Sequence, residues 1–117
     1  DLKILLKKVS ELGPKTVIIT DGINGAYAYE TEKPEDFWFM PVYPHEPFER
    51  TGAGDAFFST LVSALVMGKT LDEALTWGPI NSMSVVQQVG AQKGLLTSEK
   101  LEEYLKNAPE NYKLTKI

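Results

Sequence analysis

Cysteine is absent from this chain, and histidine occurs once, as His45 in a proline-rich stretch. The first absence excludes disulfides and a thiolate zinc site, and the second leaves no histidine cluster to hold a metal. Basic charge is also scarce. The 12 Lys and Arg face 16 Asp and Glu, for a net charge of −4, which argues against non-specific nucleic-acid binding. No apolar run approaches the roughly 20 residues that a spanning helix requires. On these grounds the expected partners include neither nucleic acid nor membrane, and the expected location is cytoplasmic. Internal repeats, low-complexity tracts and interdomain linkers are likewise not found, so residues 1–117 read as a single α/β domain.

What is present is ordinary globular apolar content, 43%, arranged in periods. Leu2, Leu5, Leu6, Val9 and Leu12 recur at helical spacing, predicting an amphipathic helix that Gly13 and Pro14 end. Val17-Ile18-Ile19 is a continuous apolar run and predicts a central parallel strand. Ala26–Tyr29 alternates, and Phe37–Met40 predicts the strand that returns after a polar turn. Pro41, Pro44 and Pro47 break the chain into a loop. An apolar helix follows over Ala56–Met67, with Gly68 as its stop. Thr70-Leu71-Asp72-Glu73 has the form of a capping box and opens a further helix. Gly78-Pro79 predicts an interruption or kink in that helix, which continues over 81–88. Gly90 and Gly94 flank a turn. A last helix is predicted over Glu99–Lys106, with Leu101 and Leu105 inward, and the segment from Asn107 reads as an extended surface tail. Trp38 and Trp77 read as core. Elements in this order imply a layered α/β fold with ligands at the C-terminal ends of its strands.

The chemistry concentrates at Thr51-Gly52-Ala53-Gly54-Asp55, which runs straight into the apolar helix. Two glycines free the backbone to aim several N–H groups at one spot, and the helix adds its own unpaired N–H groups and the positive end of its dipole. Such a turn suits a phosphate or a developing oxyanion. Asp55 would repel a phosphate there, so it needs a separate reason, and accepting a proton from an attacking hydroxyl is one. A plain tight turn with an N-terminal acidic residue is the bland alternative. A second glycine turn, Thr20-Asp21-Gly22-Ile23-Asn24-Gly25, follows the Val17–Ile19 run.

The stretch from Glu49 to Ser59 resembles the C-terminal signature of the ribokinase-like (PfkB-type) carbohydrate kinases. Thr20-x-Gly22-x-x-Gly25 is similar to the strand-turn segment that lies along the nucleotide phosphates in that family. Asn81 and Val89-Gly90-Ala91 resemble its helix and turn beside the adenine. The resemblance implies a three-layer ribokinase-like (Rossmann-like) fold, of which this chain is the C-terminal, nucleotide-binding part, with a parallel strand, an antiparallel hairpin and about four helices. It further implies ATP and Mg2+ and a sugar or nucleoside-like acceptor, and the sheet edge and apolar helix face that such a portion leaves uncovered lead us to expect a homo-oligomer. Asp55 would then be the catalytic base, the amides of Gly52, Ala53 and Gly54 the anion hole, and Thr20, Gly22, Gly25 and Asn81 nucleotide contacts. The family pattern has Asp where this chain has Glu49, one methylene longer, which argues against a potassium site; the neighbouring Arg50 also departs from it. The Gly-Gly sugar-binding motif of the family has no counterpart here, so the chain reads as a portion of a kinase. The alternatives are a nucleotide-binding fragment without activity and a structural homologue without catalysis.

Overall fold

The computed structural model describes residues 1–44, 53–86 and 96–117. They form four α-helices and four strands, α1 (Leu2–Ser10), β1 (Thr16–Thr20), β2 (Ala26–Glu30), β3 (Phe37–Met40), α2 (Ala53–Val66), α3 (Leu71–Val86), α4 (Ser98–Lys106) and β4 (Thr115–Lys116). The chain divides into two compact units, 1–41 with 114–117, and 42–113; each is described by itself.

In the first unit, Asp1 caps α1 by accepting the Lys3 N–H at 2.8 Å. The helix ends in a turn where Gly13 takes a φ of 123°. Four strands form a sheet in the order β1-β2-β3-β4, each pair antiparallel. Register is fixed by opposed residues such as Val17↔Tyr29, Tyr29↔Phe37 and Tyr27↔Phe39. Strand periodicity puts all of these on one face, and Leu6 of α1 joins Val17, Tyr29 and Phe37 in a buried cluster. The Tyr29 and Phe37 rings stack at 4.9 Å, a cross-strand aromatic pair of the kind that stabilises antiparallel sheets. The opposite face carries Ala26, Ala28 and Met40, all buried.

The parallel strand expected at Val17–Ile19 is a correction. Among the described residues β1 is an edge strand whose one partner, β2, runs antiparallel. The connection between them, residues 21–25, is far too short for a parallel crossover, which takes a dozen residues or more. The apolar run is also not buried throughout: Val17 is buried while Ile18 and Ile19 are half-buried.

The second unit is built on α2 against α3. Ala56, Phe57, Thr60, Leu61 and Ala64 are the buried positions of α2. Opposite them on α3 stand Ala74, Leu75, Trp77, Ile80 and Asn81, also buried. The helices approach closely because Gly78 has no side chain: a Cβ there would lie 2.9 Å from the Phe57 ring. Of the interruption or kink expected at Gly78-Pro79, the interruption is corrected, since α3 runs through Pro79 and the glycine serves packing. The other end of α2 closes in a Schellman motif, with Gly68 at φ 90° and bonds from Gly68 N to Leu65 O and from Lys69 N to Ala64 O. The capping box forms as predicted. Thr70 N–H reaches Glu73 Oε1, and Glu73 N–H reaches Thr70 Oγ1, each at 3.3 Å. The Thr70 N–H and the Thr70 hydroxyl, which donates to the same Oε1 at 3.2 Å, hold the Glu73 carboxyl below the usual carboxylate range, with Lys69 adding to them.

The tail is not a loose surface segment. Tyr112 is buried, its hydroxyl donates to the Thr76 carbonyl, and its ring meets Tyr43 edge-on at 4.9 Å. Burial pushes the Tyr112 hydroxyl pKa well up. Beyond it, β4 pairs with β3, and Lys116 binds Asp36 at 2.9 Å.

Candidate phosphate seat and its surroundings

The α2 helix starts at Ala53, so the N–H groups of its first turn have no acceptor inside the helix and point outward with the positive end of the dipole. Gly54 and Asp55 lie in this turn, and both are exposed. A Cβ built on Gly54 meets nothing within 4 Å, and its φ is not positive. Among the described residues, neither a special backbone conformation nor a packed neighbour accounts for this glycine. The space above the first turn is open to a ligand, and an acidic side chain stands beside it. Gly52, and with it Glu49, Arg50 and Thr51, falls outside the described residues, as do His45 and the Val89-Gly90-Ala91 turn.

Thr20, Gly22 and Gly25 come together in the first unit, at the turn that joins β1 to β2. Thr20 ends β1 opposite Ala26 and is exposed. Asp21 to Gly25 form a closed turn, held by Asp21 N to Gly25 O at 2.8 Å and Asn24 N to Asp21 O at 2.9 Å. Gly25 is demanded by the fold itself: its φ is 102°, and a Cβ would lie 2.5 Å from the Met40 carbonyl oxygen. Gly22 takes φ 53° with open space around it.

Asn81 does not stand with Asp55. It is buried on α3, its Nδ2 donating to Thr60 Oγ1 at 2.7 Å and its Oδ1 accepting from Leu96 N at 2.9 Å. Thr60 Oγ1 in turn donates to the Ala56 carbonyl at 2.6 Å. Both ends of the amide are thus engaged inside the second unit. Sequence reading missed Thr60 and missed the cavity of about 290 Å³ that Ser59, Thr60, Ser63, Trp77, Asn81 and Ser98 help to line. A signal for two of these existed. Ser59 and Ser63 follow Asp55 at intervals of four and so share its face of α2.

Comparison with known proteins gives the family of the chain. The family model described as "pfkB family carbohydrate kinase" matches residues 1–98. The chain belongs to the pfkB carbohydrate kinase family. Among curated members it is similar to the ribokinase of Bacillus subtilis, 32% identical over 103 residues, covering 88% of this chain and 34% of that protein. It is also similar to the ATP-dependent 6-phosphofructokinase of Thermoanaerobacterium thermosaccharolyticum, 40% identical over 86 residues, covering 74% of this chain and 26% of that one. An Escherichia coli protein assigned as ribokinase II, solved with ATP and Mg2+, superposes with a TM-score of 0.83 at 23% identity, over 92% of this chain and 34% of that one. The fold is thus ribokinase-like, as the resemblance implied. The chain spans about a quarter to a third of the length of the pfkB relatives it matches. No helix among the described residues is long and apolar enough to cross a membrane.

Proposed function

We propose that this chain supplies the phosphate side of an ATP-dependent carbohydrate kinase site. The observation that carries the reading is Gly54, an exposed glycine in the first turn of α2, next to an exposed Asp55. Glycine inside a helix costs about 1 kcal/mol relative to alanine. At Gly78 the fold gives a reason for that cost, because a Cβ would collide with the Phe57 ring. At Gly54 the described residues give none, and close approach of a ligand to the backbone is the reason we assign. A phosphate group seated on these amides gains from preorganised donors, which need not reorient as charge develops.

The chemistry follows from that placement. An acceptor hydroxyl oxygen forms a bond to the γ-phosphorus of ATP, the bond from that phosphorus to the bridging oxygen breaks, and ADP leaves with the electron pair. The hydroxyl proton passes to the Asp55 carboxylate. The amides of Gly52, Ala53 and Gly54 hold the negative charge that builds on the transferred group. Thr20, Gly22 and Gly25 offer a turn along the phosphates. Asn81, its amide already engaged, contributes to a nucleotide site by holding the helix pair rather than by touching the base. The exposed α2 terminus suits a nucleotide whose phosphate charge Mg2+ offsets when bound. The acceptor is a sugar or a sugar-like alcohol. The relatives named above differ in the sugar that their names carry, yet share this portion, which suits a part that serves the nucleotide rather than acceptor choice. A location in the cytoplasm, where ATP is available, fits the reading.

The test is Asp55→Asn in the intact protein. Turnover should fall at least about a hundredfold, in line with general-base contributions, while ATP affinity stays nearly unchanged, because the seat is made of backbone amides. Gly54→Val should damage nucleotide binding and turnover together. If Asp55→Asn chiefly weakens ATP binding while turnover at saturation survives, the assignment is wrong. A second reading concerns the 117 residues alone, which span 34% of the ribokinase they resemble: they bind nucleotide but do not turn over. An ATP titration run beside a kinase assay on this chain separates the two.

A further inference from the structure

The buried polar pair Thr60 and Asn81 has only one possible direction of hydrogen bonding. The Leu96 backbone N–H can only donate, so the Asn81 atom facing it at 2.9 Å must be the oxygen. The amide nitrogen then faces Thr60 Oγ1 at 2.7 Å and donates to it. Thr60 must therefore turn its own proton away from Asn81 and onto the Ala56 carbonyl, 2.6 Å distant. Each link forces the next. The chain of bonds begins where the polypeptide enters α4 at Leu96, crosses α3, and ends on a carbonyl of the first turn of α2, one residue from Asp55. Thr60 and Asn81 are 5% and 6% exposed, so breaking one of these bonds leaves a largely buried group that must find a new partner at the edge of the cavity they border.

We propose that Asn81 is a positioning residue: acting through Thr60, it fixes the Ala56 end of the first turn of α2, and with it the direction in which Asp55 points. A threonine that bonds back to the carbonyl four residues earlier bends its helix slightly. Here that bond is not optional, because Asn81 dictates it. The setting of the α2 first turn is thereby tied to where the chain stands at Leu96. The catalytic part of this inference rests on the function proposed above, whereas the structural coupling does not.

Three variants decide it. Thr60→Val keeps shape but removes the hydroxyl. Thr60→Ser keeps the hydroxyl but removes a methyl. Asn81→Leu removes the amide. In the 117-residue chain, amide hydrogen exchange at Leu96 is the first readout, since its acceptor is Asn81 and not Thr60. Exchange there should quicken at least about threefold in Thr60→Val, as it does directly in Asn81→Leu, and stay near wild type in Thr60→Ser. In the intact protein, Thr60→Val should lower kcat about tenfold with KM for ATP unchanged, as expected when a transition-state contact alone is lost, and Thr60→Ser should restore it. Packing alone would give the reverse order, because serine leaves a cavity and valine does not. A Leu96 amide unmoved by Thr60→Val, or a serine variant worse than the valine variant in either assay, overturns the proposal. If the intact wild-type protein transfers no phosphoryl group, the function proposed above fails, and the exchange measurement still decides whether Asn81 acts through Thr60. A variant that does not fold is replaced by Asn81→Gln. Its longer side chain should disturb Leu96 exchange while keeping the amide, and an unchanged Leu96 rate there also overturns the proposal.

Discussion

At the scale of single residues, Tyr112 shows how one side chain can carry a segment. It closes the stretch from Asn107 onto α3 through its bond to Thr76 and its ring contact with Tyr43. Burial raises its pKa far above the ordinary value of 10.0, so the folded state holds the proton while the unfolded chain releases it. The sign follows directly. The contribution is fully present below the unfolded pKa of about 10 and is lost as pH rises beyond it. Denaturant unfolding between about pH 8 and about pH 11 should show stability falling through the upper part of that range. Tyr112→Phe should lower stability at neutral pH by about 1 kcal/mol, the worth of one hydrogen bond, and flatten the alkaline decline. A wild-type chain equally stable across the range would refute this account of the tail. The tail was not legible in the sequence, because its anchors are single residues in a polar stretch without periodicity. The bond between Asn81 and Thr60 was illegible for a similar reason. The two residues lie on different helices, and no local spacing predicts that contact.

At the scale of elements, local signals were read well and pairing was not. The capping box at Thr70–Glu73, the glycine stop at Gly68 and the helical period of α1 depend on neighbours within a few positions, and all three appear in the structure. The orientation of β1 depends on which strand it meets, and a continuous apolar run does not encode that. The capping box also gives a measurable element-level effect. Thr70→Ala should destabilise the chain by about 1 kcal/mol. Because Glu73 titrates below its usual range, its part of the box is present above the unfolded carboxylate pKa and is lost as pH falls through the lower, folded value. The destabilisation by Thr70→Ala should therefore be largest near neutral pH and shrink in acid. An unfolding series in which the difference between wild type and Thr70→Ala is the same at both ends would show that Glu73 plays no part.

At the scale of the whole molecule, the family and the fold were legible because they rest on a short, specific motif and on element order. What the motif did not convey is how much apolar surface stays uncovered in these 117 residues. Phe58, Val62, Leu65, Val66 and Met67 are exposed, at 40, 54, 40, 81 and 59% respectively, and the first four share one face of α2 at helical spacing. A contiguous apolar face of this kind invites association, and the edge strand β1 offers unpaired backbone groups besides. The isolated chain should form dimers or larger species whose population grows with concentration, as measured by light scattering. Val62→Lys with Val66→Glu should shift it toward monomer. A chain that stays monomeric at every concentration would show that this face does not drive self-association.

The contact between Phe57 and Gly78 bears on how the sequence can change over generations. With a ring lying 2.9 Å from where a Cβ at position 78 would sit, neither residue can drift alone. A methyl group at 78 becomes tolerable only after the ring at 57 has shrunk, and a smaller residue at 57 leaves a void unless 78 grows. The two positions should therefore move as a couple among descendants of this chain. A chimera that takes α2 from one parent and α3 from another inherits half of the agreement, so these helices are best exchanged together or left alone.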